Sequence, residues 1–327
     1  MRFIWAGASW LVLMAALGMS QQVPSSAGEG ARWPNEQSVS PPETRAQGGA
    51  EQPEYESGRE YFRKGDYLNA ARRLEVALRE SPEDRDALQL LGLAYYHLGR
   101  PAEAIAPLER LQRQLGNLPR DSGFVLALCY ALTRQYDRAR SAFAALYGLP
   151  AESAGAHLIL SRMLVRQGFD PVAEAHASRG LSLNPTLPMA HFVLGEVYLY
   201  KSRVPQAAAE FQKELAVDPA NAEAWYRLGD AKARQSAYAE ADAALRRAIW
   251  LDATRARYYA LLGKIVLRSG DRAQARRLLE RAVAMDPNDY TAHRLLGEAY
   301  RDLGDAALAA REFRISADLQ RTQSGRR

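Results

Sequence analysis

The chain reads as an all-α solenoid, a row of tandem helix-turn-helix units, and three observations carry that reading. The first is a fixed period. Laid in frames that begin at 51, 85, 120, 154, 188, 222, 256 and 290, the sequence aligns as eight copies of 34 residues, with Pro119 the single extra residue between the second and third. A period of this size marks stacked supersecondary units that cannot bury an apolar face alone. The second observation is a pair of small-residue columns. The eighth position of each copy holds Gly58, Gly92, Ala127, Ser161, Gly195, Gly229, Gly263 or Gly297, and the twentieth is always alanine, from Ala70 to Ala309. Small side chains on facing sides of two helices let the backbones approach closely. The third is the spacing within a copy. In residues 188–221, His191, Leu194, Gly195 and Tyr198 follow the i, i+3, i+4, i+7 rule of one helical face, and Ala207, Phe211 and Leu215 stripe a second helix.

Taken in order, residues 1–20 hold one positive charge, an apolar run from Phe3 to Met19 and small residues at Gly18 and Ser20. That is the layout of a secretory signal peptide cleaved near Ser20. An uncleaved membrane anchor is the other reading, since the run sits at the lower edge of spanning length. No cysteine follows the run, so lipid modification there is excluded. Both readings place the repeats outside the cytoplasm, in the periplasm or the extracellular space, or tethered to the inner membrane. Residues 21–50 are rich in Pro, Ser, Gly and Glu without an apolar period and read as a disordered tether, with Trp33 its one large apolar residue.

The copies then run 51–84, 85–118, 120–153, 154–187, 188–221, 222–255, 256–289 and 290–321, followed by a basic tail at 322–327. Copy 1 is the least regular, with Glu54 and Ser57 at apolar positions, as expected of a terminal repeat with one solvent face. In copy 2, Pro101 suits a first helical turn, whereas Pro107 falls well inside and predicts a kink or a delayed start. In copy 5, Pro205 opens the second helix and Asp218-Pro219 closes it. In copy 8, Phe313 is expected to be partly exposed, a route to end-to-end self-association.

At these spacings the sequence resembles the tetratricopeptide repeat family: Trp225, Leu228, Gly229, Ala241 and Ala248 fit its pattern in one copy, and Leu91, Gly92, Tyr95, Gly99 and Ala104 in another. The resemblance spans residues 51–321. It implies a right-handed superhelix with first helices lining a concave groove and second helices the convex back, and a non-catalytic scaffold that binds proteins.

Composition adds little about partners. The 43 basic residues against 38 acidic ones leave a net charge of +5, and only five of the 43 are lysine, a bias that points to a high-GC bacterial source. Catalytic signatures are missing: there is no HExxH, GxSxG or GxxxxGK[ST]. Cys129 stands alone, so neither a cysteine metal site nor an internal disulfide can form. His157, His191 and His293 share the fourth column, where they stand in for the aromatic residues Trp225 and Tyr259, and no carboxylate in an adjoining column completes a metal site. His97 and His176 read as isolated. No catalytic residue, metal or cofactor is expected.

If columns 4, 7, 8 and 11 face the core, columns 5, 9 and 12 lie on the adjoining face, and the resemblance adds columns 2 and 13 to a groove. Those positions hold Tyr55, Arg59, Phe62, Tyr96, Phe124, Leu128, Leu158, Arg162, Arg166, Phe192, Glu196, Tyr200, Tyr226, Asp230, Arg234, Arg257, Lys264 and Arg268. The expected ligand is a peptide or partner helix with apolar anchors across copies 2 to 5 and acidic residues toward Arg257, Lys264 and Arg268. The alternative is that superhelical winding packs the apolar members against one another. Capture of a C-terminal carboxylate, as some family members do, is not supported by Tyr55, Arg59 and Leu90 at the relevant columns. Among other classes, an envelope assembly subunit anchored by residues 1–20 stands next. An RNA-binding helical-repeat protein and an enzyme fit less well, since no polar base-reading code and no converging polar site are present, and nucleic acid is not expected as a partner.

Overall fold

The computed structural model describes residues 53–168 and 170–324, so the expectations for 1–20, 21–50 and 325–327 lie outside the described residues. The described residues form sixteen α-helices and no strand. The chain divides into two compact units between Leu187 and Pro188. In the first unit the helices are α1 (Pro53–Arg63), α2 (Tyr67–Glu80), α3 (Arg85–His97), α4 (Pro101–Leu115), α5 (Arg120–Leu132), α6 (Tyr136–Leu146), α7 (Ala154–Arg166) and α8 (Asp170–Leu183). The second holds α9 (Ala190–Tyr200), α10 (Val204–Val217), α11 (Ala222–Arg234), α12 (Tyr238–Leu251), α13 (Ala256–Arg268), α14 (Arg272–Met285), α15 (Tyr290–Leu303) and α16 (Ala306–Ser324). Each unit is thus four helix pairs, one pair per copy. Within a unit each second helix packs on the next copy's first helix, and first helices of successive copies also meet, as α1 meets α3 and α11 meets α13.

The small columns bring the pairs together. A Cβ added at Gly92 would stand 2.5 Å from Leu108 Cγ, and one at Gly195 would stand 2.6 Å from the Phe211 ring. The side chain at column 24 therefore occupies the space that column 8 leaves open. Column 20 supplies its carbonyl to the same contact: where copy 4 has Ser161, the buried hydroxyl donates to the Ala173 carbonyl oxygen at 2.7 Å. A buried hydroxyl is thereby satisfied by the neighbouring helix.

Column 15 makes the turn inside each copy. Gly65, Gly99, Gly168, Gly270 and Gly304 have positive φ there, and so do Arg134 (φ 61), Ser202 (φ 57) and Ser236 (φ 62). In six copies the N–H of column 16 then donates to the carbonyl of column 11, for example Arg203 to Tyr198 at 2.8 Å and Asp66 to Tyr61 at 3.0 Å. This is the six-to-one closure of a Schellman turn, which ends the first helix and reverses the chain. At helix starts, Asp66, Asp84, Ser153, Asn221, Asp271 and Asp289 accept first-turn N–H groups.

A second recurring bond links copies. Column 25 glutamates accept from the column 11 tyrosine of the following copy: Tyr95 to Glu75 at 2.5 Å, Tyr130 to Glu109 at 2.9 Å and Tyr300 to Glu280 at 2.9 Å. Trp225 anchors copy 6 in another way, its indole N–H donating to the Pro219 carbonyl at 2.9 Å, while Trp250 on α12 is 72% exposed with Arg247 stacked 4.2 Å above it.

Two expectations change. The helix around Pro107 neither starts late nor breaks: α4 runs from Pro101 to Leu115 with Pro107 buried inside it. Only the Glu103 carbonyl loses its intrahelical donor, and Glu103 is exposed, so water can replace the bond. The last helix, α16, runs to Ser324 and so takes in the first residues of the basic tail. His97 and His176 are not isolated: His97 stacks on Tyr67 at 4.4 Å, and His176 Nδ1 lies 2.8 Å from His157 Nδ1.

Candidate functional site

The apolar part of the expected groove is core. Tyr55, Phe62, Leu128, Leu158 and Phe192 are all buried, Leu158 completely. In copy 1 the cause is the contact of α1 with the next first helix, α3, and in copy 5 it is packing against the copy's own second helix. Tyr55 shows the former: burial pushes its hydroxyl up to about 12, and Asp86 and Asp84 at the start of α3 add to the effect. Phe192 packs on Phe211 with ring centres 5.7 Å apart. Phe124 is half-buried, its ring 5.7 Å from Phe143, and Tyr96 is half-buried too.

The polar members of the same columns remain accessible to different degrees. In the first unit Arg166 is exposed, Arg162 is half-buried, and Arg59 pairs with Glu56 at 3.3 Å. In the second unit Tyr200 is 62% exposed, and Glu196 pairs with Arg227 at 3.1 Å. Arg257, expected to receive acidic residues, is already paired with Glu223 and lies 5.2 Å from the centre of the Tyr226 ring. Tyr226 in turn stacks on buried Tyr258 at 4.9 Å. Both residues belong to a packed network and not to an open recess.

Four of the expected residues do converge. Asp230, Arg234, Lys264 and Arg268, at columns 9 and 13 of copies 6 and 7, line a cleft of about 240 Å3 between α11 and α13, with Ser236, Tyr238 and the apolar Ala233, Leu261 and Ile265. The 34-residue period places equivalent columns on adjacent first helices, which is why positions so far apart in sequence share one recess. Asp230 and Arg234 pair within α11 at 2.8 Å. Arg268 donates to the Tyr238 hydroxyl at 3.2 Å, and that hydrogen bond, with Ser236 and the nearby Lys264 charge, lowers the Tyr238 pKa. No described carboxylate forms an ion pair with Lys264 or Arg268. Three cations against one carboxylate leave the cleft basic, with apolar side chains on its floor.

Other candidates are structural. Cys129 is fully buried, and burial pushes its thiol up to about 12, which holds it in the unreactive protonated form. Column 4 histidines meet column 23 across the helix pair: His157 meets His176, while His191 and His293 meet Glu210 and Glu312, each at 2.6 Å. The partnering carboxylates therefore exist, one helix away, where spacing along the sequence did not reveal them. No group of three or more His, Cys, Asp or Glu among the described residues could hold a metal ion. No described helix is long and apolar enough to cross a membrane.

The sequence profile described as tetratricopeptide repeat matches residues 55–119, 192–258 and 261–323, more than half of the chain. The chain belongs to the tetratricopeptide repeat family. Members of this family serve in general as scaffolds for protein–protein interaction and not as catalysts. Among solved structures, the chain is similar to MamA residues 41–end from Desulfovibrio magneticus RS-1, at 23% identity over 52% of this chain and 96% of that one, with a TM-score of 0.48. It is also similar to YrrB, described as a tetratricopeptide repeat protein with an unusual peptide-binding site (21% identity, 52% of this chain, 87% of that one, TM-score 0.46). A third is the Cut9–Hcn1 hetero-tetramer of the APC/C (21% identity, 75% of this chain, 47% of that one, TM-score 0.47). No curated protein sequence matches the chain.

Proposed function

We propose that this tetratricopeptide repeat protein is an exported, non-catalytic scaffold that captures a peptide or partner helix, with an acidic segment of the partner seated between α11 and α13. The observation that carries the reading is the convergence of Lys264 and Arg268 on one cleft whose single carboxylate, Asp230, is already paired with Arg234. Cations placed beside apolar surface are the usual means of fixing the register of an acidic-aliphatic ligand. The ligand's aliphatic side chains would rest on Ala233, Leu261 and Ile265. Export is supported by the apolar run of residues 1–20; left uncleaved, the same run would tether the scaffold to the membrane. The N-terminal sequence of the native protein separates the two, beginning after Ser20 in one case and at Met1 in the other.

The ligand reading is tested with an array of synthetic acidic-aliphatic peptides probed with the full chain. Glu- and Asp-containing peptides should be enriched, and the double variant Lys264→Glu/Arg268→Glu should bind them about tenfold or more weakly at low salt. Equal binding by the charge-reversed variant would refute the assignment of this cleft. Phe192, being buried, is unsuitable as a test position, because Phe192→Asp would unfold the copy.

A further inference from the structure

A second recess lies in the first unit, away from the groove columns, and has its own origin. Every copy has a layer where column 4 of the first helix faces column 23 of the second. Copy 1 fills it with the Glu54–Arg73 ion pair at 3.0 Å, copy 4 with His157 and His176, copy 5 with His191 and Glu210, and copy 8 with His293 and Glu312. Copies 2, 6 and 7 place Leu88, Trp225 and Tyr259 at column 4. Copy 3 alone has small residues at both positions, Gly123 and Ala142. Leu146 and Leu118 close over Gly123, an added Cβ there standing 2.9 Å from Leu146 Cδ2, and beside them lies a cavity of about 500 Å3 that Gly123 and Ala142 help to line. Copy 3 is also the copy preceded by the inserted Pro119, and Leu118 and Asn117 of that longer connection form part of the wall.

The volume is within the range of pockets that hold small ligands. The floor is apolar, made chiefly by Leu118, Leu126, Ala142 and Leu146, and the rim is cationic. Arg120 stands there with its guanidinium 5.8 Å from the centre of the Tyr147 ring, and no described carboxylate forms an ion pair with it. Arg120 is also the first residue of α5, whose N-cap, Pro119, offers no side-chain acceptor to the first turn. Asp121 in the same turn offsets the positive end of that helix, so the Arg120 guanidinium, hydrogen-bonded to the Tyr147 hydroxyl, is what favours an anion at this edge.

We propose that this cavity binds an amphiphilic monocarboxylate, a free molecule whose apolar body lies along Leu118, Leu126, Ala142 and Leu146 and whose single anionic group lies against Arg120. The pairing of one cation with an apolar floor selects this class over a neutral hydrocarbon, which would leave the Arg120 edge unused, and over a polyanion, which would leave the floor empty.

The probe is dodecanoate, titrated calorimetrically into the full chain, with dodecan-1-ol as the uncharged counterpart. Saturable one-to-one binding of dodecanoate is expected, with the alcohol about five- to tenfold weaker, the range that one partly exposed ion pair supplies. Arg120→Glu, at an exposed position, should weaken dodecanoate by a similar factor and leave the alcohol unchanged. Ala142→Leu should abolish binding of both by filling the layer, and a thermal unfolding profile like that of the native chain shows that it folds. Absence of dodecanoate binding, equal affinity for the alcohol, or full affinity in Arg120→Glu would each overturn the proposal. Preference for a peptide ending in a leucine carboxylate over dodecanoate would overturn the assignment to a free acid.

Discussion

Column 15 offers the sharpest test of how the repeats are built. Five described copies turn on glycine, but Arg134, Ser202 and Ser236 adopt the same left-handed backbone with a Cβ in place. A non-glycine residue in that region carries about 1–2 kcal/mol of steric cost. Glycine relieves it but has more freedom in the unfolded chain, which takes back about 0.5–1 kcal/mol. The expected net gain is about 0.5–1 kcal/mol per site. Arg134 and Ser202 are the cleaner positions, since both are exposed, whereas Ser236 also hydrogen-bonds Tyr238. The double variant Arg134→Gly/Ser202→Gly places one change in each unit, so each unit should gain independently. The assay is urea unfolding followed by circular dichroism, with amide exchange of the flanking helices to resolve the units, because repeat arrays need not unfold in one step. Gly99→Ala is the reverse control: nothing lies within 4 Å of its added Cβ, so only the backbone conformation can oppose it, by about 1 kcal/mol. An unchanged or lowered midpoint in Ser202→Gly, with Gly99→Ala neutral, would refute the strain argument.

Two further outcomes follow from buried ionisable groups. Burial lowers the pKa of His176 to about 4, with His157 and Arg140 adding to the effect, and burial lowers His157 as well; Glu152 and Asp137 oppose these shifts. A depressed histidine is neutral when folded and takes up its proton on unfolding, so its stabilising effect is complete above about pH 6.5 and is lost as pH falls toward 4. For His176 the loss is at most about 3 kcal/mol, reduced by its partial exposure to solvent. His176→Gln should flatten the stability profile of the first unit between those limits, and an unaltered slope would count against the histidine assignment. Glu214, 1% exposed, accepts the Met189 N–H at 2.8 Å and the Phe192 N–H at 3.2 Å, and so caps α9 from the neighbouring helix. Glu214→Ala should destabilise the second unit by about 2–3 kcal/mol, with Glu214→Gln milder because one acceptor oxygen remains. Equal losses in thermal unfolding would show that packing, not capping, is at stake.

The helix pairs were legible because a repeated constraint leaves a repeated residue: Ala at column 20 and Gly at column 8 announce the close approach that the structure shows. Column 15 was harder to read, since Arg134, Ser202 and Ser236 pay no visible tribute to the turn they make. The groove was over-read for a related reason. Spacing assigns a residue to a face of its own helix, but burial of Phe192 or Leu158 is decided by the next helix, which the spacing does not describe. Polar residues at the same columns survived as surface because desolvating Lys264 or Arg268 would cost more than packing them returns. The cavity in copy 3 was visible in principle as the coincidence of Gly123 and Ala142. It needed the pairing of columns 4 and 23, which only the packed helices display.

The two tryptophans of the described repeats, Trp225 and Trp250, both lie in the second unit, one hydrogen-bonded and the other in solvent beneath an arginine. For a fragment beginning at Pro53, emission excited at the indole band would therefore follow the second unit alone. The first unit, with tyrosine as its strongest chromophore, would melt unseen. An apparently simple fluorescence transition would then describe half of the molecule, and an indole introduced at Tyr147, beside the copy 3 cavity, would give the other half a voice.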